Sequence, residues 1–187
     1  MKSLFGLELN KQQFIMLLLS FLFCACNPTN KPQINSEESD SDSSQFFPSI
    51  ANPELKKVKL WIGAKEIEAE VARTPLQIAT GVMFRESLQK NKGMVFVFPK
   101  PREVAFYNKN VKIPLSLAYI GSDGKILELH KLEPHDEDSI FSQKPNIQFV
   151  LEMNQGWFEK NGIGKGALVT TDRGSLAMQL PTGGYFR

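Results

Sequence analysis

The 187-residue sequence predicts an α+β, mainly β protein: a small, compact, barrel-like domain with one or two short helices. Three observations lead there. Apolar residues recur with a period of two in several separate stretches, which is the spacing of half-buried strands. Only one stretch carries a full helix-start signal, and helices and strands do not alternate as they would around a parallel sheet. A domain near this size buries about two thirds of its unfolded surface, enough for a core without disulfide staples.

The folded part begins near Leu55, within an expected domain boundary of 54–172. Val58, Leu60 and Ile62 alternate with polar neighbours, and Ile67, Ala69 and Val71 alternate with Glu66, Glu68 and Glu70, giving two strands whose glutamates form a solvated face. Gly63 and Ala64 between them suit a tight hairpin. Thr74, Pro75 and Gln77 then read as a hydroxyl cap, a proline at the first helical position and a reciprocal side chain three residues on. The helix is expected over 75–84, with Leu76, Ala79, Val82 and Met83 inward and a close backbone contact at Gly81, since glycine inside a helix costs about 1 kcal/mol against alanine.

Met94 to Phe98 is apolar at every position, as in a strand covered on both faces, with Phe96 among its most buried residues and Pro99 and Pro101 ending it. Further strands are expected over 104–108, 115–120, 125–131, 147–153 and 167–171, with 121–124 as a hairpin turn and 173–187 as a C-terminal tail.

The N-terminus follows a different logic. Lys2 and Lys11 precede an apolar run from Phe14 to Phe23 that ends in small residues, the layout of a secretory signal over 1–25. From Phe14 to Cys26 a helix would span about 20 Å at ~1.5 Å per residue, short of the ~30 Å hydrocarbon core. Leu22-Phe23-Cys24-Ala25-Cys26 resembles the lipobox of bacterial lipoproteins, in which the cysteine receives a lipid; Phe23 and Cys24 depart from its commonest form. The expectation is an exported protein, lipid-anchored through Cys26 and facing the periplasm or exterior. Cys24 and Cys26 are the only cysteines, so the mature domain would lack a thiol. Residues 26–53, rich in Asn, Pro, Ser, Glu and Asp, read as a disordered tether dispensable for folding.

The blocks Thr74-Pro75, Gly81-Val82-Met83-Phe84-Arg85, Gly93-Met94-Val95-Phe96, Phe106-Tyr107-Asn108-Lys109-Asn110, Ile113-Pro114-Leu115 and Val150-Leu151-Glu152 with Gly156 resemble, in order, those of the domain of unknown function 192 family. The resemblance covers roughly 58–169 and implies a compact β-rich fold, often exported, with no established activity or catalytic residues. The family's tryptophan-methionine-lysine-asparagine-threonine block is here Tyr107-Asn108-Lys109-Asn110-Val111, and its aspartate after proline-leucine is Ser116.

For function, 22 basic against 20 acidic residues, a net charge of +2, argue against a nucleic-acid partner, which demands clustered positive charge. No dinucleotide or phosphate-loop fingerprint is present, so no cofactor is expected, and no serine sits in a nucleophile-elbow context. His130, Glu133, His135, Asp136 and Asp138 are metal-ligand types, but their spacing across Pro134 fits a solvated loop, and no metal is expected. Glu128 and His130 share a strand face and read as a surface ion pair. The candidate ligand-binding residues are Arg85, Tyr107, Lys109 and Asn110, whose cationic and amide donors suit a carboxylate or phosphate. The expectation is a non-catalytic module for a small ligand or an envelope partner protein. The alternative is a hydrolase or transferase using Lys109, Asn110 and Arg85, which would require those groups to converge on one pocket.

Overall fold

In a computed structural model the described residues are 48–180. The signal, Cys26 and most of the expected tether lie outside them. Strands β1 (Lys57–Ile62) and β2 (Lys65–Ala72) form the expected hairpin, Leu60 opposite Ile67, and Gly63 in its turn has φ +59°. Helix α1 (Pro75–Thr80) follows, then β3 (Lys92–Arg102), β4 (Ala105–Phe106), β5 (Leu115–Gly121), β6 (Ile126–Leu132), β7 (Ile140–Phe141) and β8 (Ile147–Asn154). The chain ends through α2 (Trp157–Lys160), β9 (Val169–Thr171), β10 (Gly174–Ser175) and α3 (Leu176–Gln179).

Eight strands form one sheet in the order β10-β9-β1-β2-β3-β8-β5-β6, while β4 and β7 make a separate two-stranded ribbon. The one parallel neighbour pair is β2 with β3, joined through α1 as parallel strands require; the rest are antiparallel. The mainly β expectation holds, but the domain is not a closed barrel. The sheet's two ends meet over a short stretch at the start of β6: Lys125 bridges Leu168, the Ile126 N–H donates to the Ala167 carbonyl at 2.9 Å, and the Val169 N–H donates to the Gly124 carbonyl at 2.9 Å. A ladder continuous around the ring, which a barrel needs, is missing there.

Alternation along the central strands divides the interior in two. Val95 and Val97 of β3, Ala118 and Ile120 of β5, and Phe149, Leu151 and Met153 of β8 join one core with the β1–β2 hairpin, Trp157 and Phe158. Met94, Phe96, Phe98, Leu115, Leu117, Tyr119 and Val150 face the other way and pack with Val82, Met83, Val111 and Ile113. Phe96 is 1 % exposed, as expected of a strand covered on both faces. Gly93 permits β3 and β8 to approach: a Cβ there would fall 2.4 Å from the Glu152 carbonyl oxygen.

Several boundaries differ from expectation. Pro99 and Pro101 do not end β3, which continues to Arg102 across a register shift between Val97 and Arg102. A bulge of this kind tolerates residues without an N–H, and the Gln148 side chain donates to the Phe98 carbonyl there. Helix α1 stops at Thr80, not 84, because Gly81 turns away at φ +48° and ψ −129°, and Leu76 is consequently 66 % exposed where it was expected to face inward. The strand expected over 104–108 shrinks to β4, since the Asn108 N–H leaves the ladder to bond the Asp136 carbonyl at 2.7 Å. Residues beyond 172 are not a bare tail: they supply β10 and α3, and Leu176 and Leu180 are buried in the core. At the other end Asn52, within the expected tether, donates from Nδ2 to the Gln77 and Gly81 carbonyls at 3.0 and 2.9 Å, satisfying acceptors that the end of α1 leaves open.

Candidate functional site

A cavity of about 650 Å³ opens on the second face of the sheet. One wall is the end of α1 with the turn to Met83, the floor includes Phe96 of β3, and the opposite wall is the β4 region with Phe106, Tyr107 and Val111. Buried Phe98 and exposed Arg102, Glu103 and Phe141 also line it, Phe141 at 71 % exposure.

The walls are held from the sequence upward. Thr74 and Gln77 make a full capping box: the Gln77 N–H donates to Thr74 Oγ1, while Gln77 Oε1 accepts from the Thr74 N–H at 3.1 Å. Gly81 is required by its backbone, at φ +48°; a Cβ there would meet the Phe96 ring only at an ordinary contact distance of 3.4 Å. The close backbone contact expected at Gly81 is absent, the nearest backbone atom, the Ile78 carbonyl oxygen, being 4.0 Å from where a Cβ would sit. Phe96 meets Phe106 edge to face at 4.9 Å, and Phe106 meets Tyr119 at 6.1 Å. The ribbon is pinned from below, where the Tyr119 hydroxyl donates to the Ile140 carbonyl at 2.5 Å and Glu128 accepts from the Gln143 and Lys144 N–H groups. Glu128 also meets His130 Nε2 at 3.0 Å; at 2 % exposure it is a buried clamp, not the surface ion pair expected of it.

Into this cavity projects Glu152 of β8. Its neighbours in register are Met94 on β3 and Leu117 on β5, both fully buried, so the carboxyl stands in an apolar row. Glu152 is 4 % exposed and its Oε2 has no hydrogen-bond partner. Burial pushes its pKa up to about 8 from 4.5, against the partly opposing charge of Arg85. At neutral pH the group is mostly a neutral acid.

Arg85 is committed elsewhere. Its Nη1 and Nη2 donate to the two carboxylate oxygens of Glu70 at 2.5 and 2.9 Å, and Glu70 Oε2 also accepts from the Leu55 N–H at 2.8 Å. Burial opposes ionisation of Glu70, but the guanidinium and the Leu55 N–H together hold its carboxyl below the usual range. Glu70 therefore leaves the solvated glutamate face expected of β2: its side chain is 13 % exposed.

The four expected ligand-binding residues do not converge. Tyr107 lines the cavity; Arg85 acts on it through its charge at Glu152. Lys109 pairs with Glu137 at 3.2 Å, and Asn110, at φ +56°, receives the Phe84 N–H on its carbonyl at 2.9 Å; neither lines the cavity. Asn108, between Tyr107 and Lys109, is structural, its Nδ2 donating to the Ile113 and Glu133 carbonyls at 3.2 and 2.8 Å. Glu133 and Asp136 take part in separate local bonds, and among the described residues no group of three or more His, Cys, Asp or Glu side chains is placed to hold a metal ion. The residue missed at the sequence level was Glu152, although a carboxylate inside the apolar strand over 147–153 was the available signal.

Comparison with known proteins follows this geometry. The profile of the domain of unknown function 192 family, described as "Uncharacterized ACR", matches residues 58–171. This chain belongs to that family. A crystal structure of a candidate transcription regulator from Sinorhizobium meliloti 1021 is similar at 31 % identity and a TM-score of 0.60, over 65 % of this chain and 98 % of that one. A protein of unknown function from Novosphingobium aromaticivorans DSM 12444 is similar at 29 % identity and 0.58, over 64 % and 90 %. No curated protein matches significantly. Of the cavity's lining, Gly81, Val82, Met83, Phe96, Phe106, Tyr107 and Glu152 fall within the family segments noted above.

Proposed function

We propose that this member of the family is a small-ligand-binding module, carried outside the cytoplasm on a lipid at Cys26. The observation that carries the binding reading is a carboxyl with an unpartnered oxygen, buried at the wall of an open, largely apolar cavity. Ligand sites have this make-up: about 300–1,000 Å³ of mostly apolar wall with a few polar groups that fix orientation. A buried polar atom without a partner costs roughly 1–3 kcal/mol, a cost that a ligand donating to it removes.

The alternative, a hydrolase or transferase built on Arg85, Lys109 and Asn110, needed those groups to converge. Their separation favours binding over catalysis by that set. Nor is the regulator role of the Sinorhizobium protein carried over: Lys57, Lys59, Lys92, Lys112, Lys125 and Lys131 each pair with an acid, which works against the concentrated positive charge that phosphate backbones require.

The binding reading is tested by thermal shift on the full chain against small cationic, neutral and anionic probes of matched apolar size. A bound probe at about 100 times its dissociation constant adds about 2.7 kcal/mol of stability. A rise in Tm with at least one probe, lost when Ala79→Trp fills the cavity, is expected; no rise with any class would end the reading. The anchor is tested separately, since Cys26→Ser should abolish labelling by radioactive palmitate, and persistent label would refute it.

A further inference from the structure

The cavity's chemistry narrows the ligand, an inference that rests on the binding reading above. We propose that the ligand is an organic cation with an apolar body, an alkyl- or arylammonium, whose charged head sits against the Glu152 carboxyl among the rings of Phe96, Phe106 and Tyr107.

What Glu152 lacks is a donor. Its Oε2 is unpartnered, its register neighbours Met94 and Leu117 offer only apolar atoms, and the guanidinium of Arg85 is engaged by both oxygens of Glu70. The ionised carboxylate therefore has no donor in the protein, and a ligand that stabilises it must bring both a hydrogen-bond donor and a positive charge. The rings around it favour the same sign: an aromatic face attracts a cation, and Arg102 already lies 6.0 Å from the centroid of Phe98 at the cavity's outer edge. An anionic ligand would instead have to approach a carboxyl across these ring faces.

Entry of a cation also moves a proton. In the free protein desolvation keeps Glu152 mostly protonated. An ammonium at the carboxyl favours the carboxylate, so the acidic proton leaves to solvent as the ion pair forms, one proton for one bound cation, and no covalent bond of the ligand changes. The charged and titratable groups facing Glu152 or lining its cavity are Arg85 behind the helix turn, Tyr119 on β5, Tyr107 beside β4, and Arg102 and Glu103 near the mouth. Glu70 holds Arg85 charged, burial raises the Tyr119 hydroxyl further above neutrality, and Glu103 is exposed. Glu152 is left to release the proton near pH 7.

Isothermal titration of the full chain with hexylammonium or phenethylammonium chloride tests this, run at pH 7 in phosphate and in Tris so that the difference in heat counts protons. The expected result is saturable binding with close to one proton released, tightening toward tenfold per pH unit as pH rises below the Glu152 pKa. Glu152→Gln, nearly isosteric, should fold as judged by its melt, weaken binding by at least about tenfold and abolish the proton release. Phe106→Leu should weaken it less and keep the release. Binding of hexanol or hexanoate without hexylammonium would overturn the cation assignment while leaving the cavity a binding site. Ammonium binding that is equal in Glu152→Gln, or that releases no proton, would overturn it too. If no probe of any charge binds, both this inference and the binding reading fall.

Discussion

Phe149, Leu151 and Met153 on one side of β8 reach a core closed by the β1–β2 hairpin, Trp157, Phe158 and Leu180, and every one of the three is fully buried. Val150 and Glu152 on the other side look toward a face that α1, the Gly81 turn and the β4–β7 ribbon cover incompletely, leaving the cavity. The same strands thus build one face for packing and one that gives up packing. A hydrophobic residue of similar volume at 152 would avoid the desolvation of a carboxyl. The acid standing where stability alone disfavours it is what the proposed binding role of the open face rests on.

The sharpest way to break the contrast is to truncate one ring on each face. Phe149→Ala in the closed core should cost about 3–5 kcal/mol in urea unfolding, through lost transfer energy and a residual void. Phe106→Ala, beside space that already exists, should cost about 2 kcal/mol or less. Equal losses would mean that the two faces are packed alike. Arg85→Ala should come next, at about 3 kcal/mol, because it strands the half-buried Glu70 carboxylate; Glu70→Gln in the same background should recover part of it.

A smaller effect is expected from removing residues before Leu55. The tether was expected to be dispensable, yet Asn52 closes two carbonyls at the end of α1, so a chain starting at Leu55 should lose about 1–2 kcal/mol relative to one starting at Asn27. Identical melting would show that these bonds exchange freely with water. Smallest is Lys109→Ala, within about 0.5 kcal/mol, since its contact with Glu137 is largely solvated.

How far the sequence could be read divides along the same line. The closed core follows from local alternation: Val58, Leu60 and Ile62 against Ile67, Ala69 and Val71, paired through Gly63, were legible because register and burial follow from a period of two. The capping box of α1 was legible for a similar reason, being complete within four residues. The open face depends on non-local geometry. Nothing near Pro99 announces that β3 continues through a bulge, and nothing near Arg85 reveals that Glu70, fifteen residues earlier, occupies its guanidinium. Lys109 and Asn110 looked functional because they are polar residues in a family block, whereas their roles are an ion pair and a backbone acceptor. Glu152 could be placed only once β3 and β5 were known to flank β8 with Met94 and Leu117, which turns an ordinary strand glutamate into a desolvated one.

The central claim is that Glu152 keeps its proton at neutral pH because the open face desolvates it without pairing it. Its folded-state pKa lies above its unfolded one, about 8 against 4.5, so its contribution to stability is present in full below the lower value and declines as pH rises between the two. At about 1.4 kcal/mol per pKa unit this amounts to several kcal/mol, and Glu152→Gln should flatten that part of the pH profile. The direct measurement is a carbon-detected NMR titration of the glutamate side-chain carboxyls, with the Glu152 resonance assigned by its disappearance in Glu152→Gln. A midpoint near 8, set well apart from the exposed glutamates, is the predicted result. A midpoint near 4.5, with the solvated carboxyls, would contradict it, because Glu152 would then be hydrated or paired and the open face would hold no poised acid.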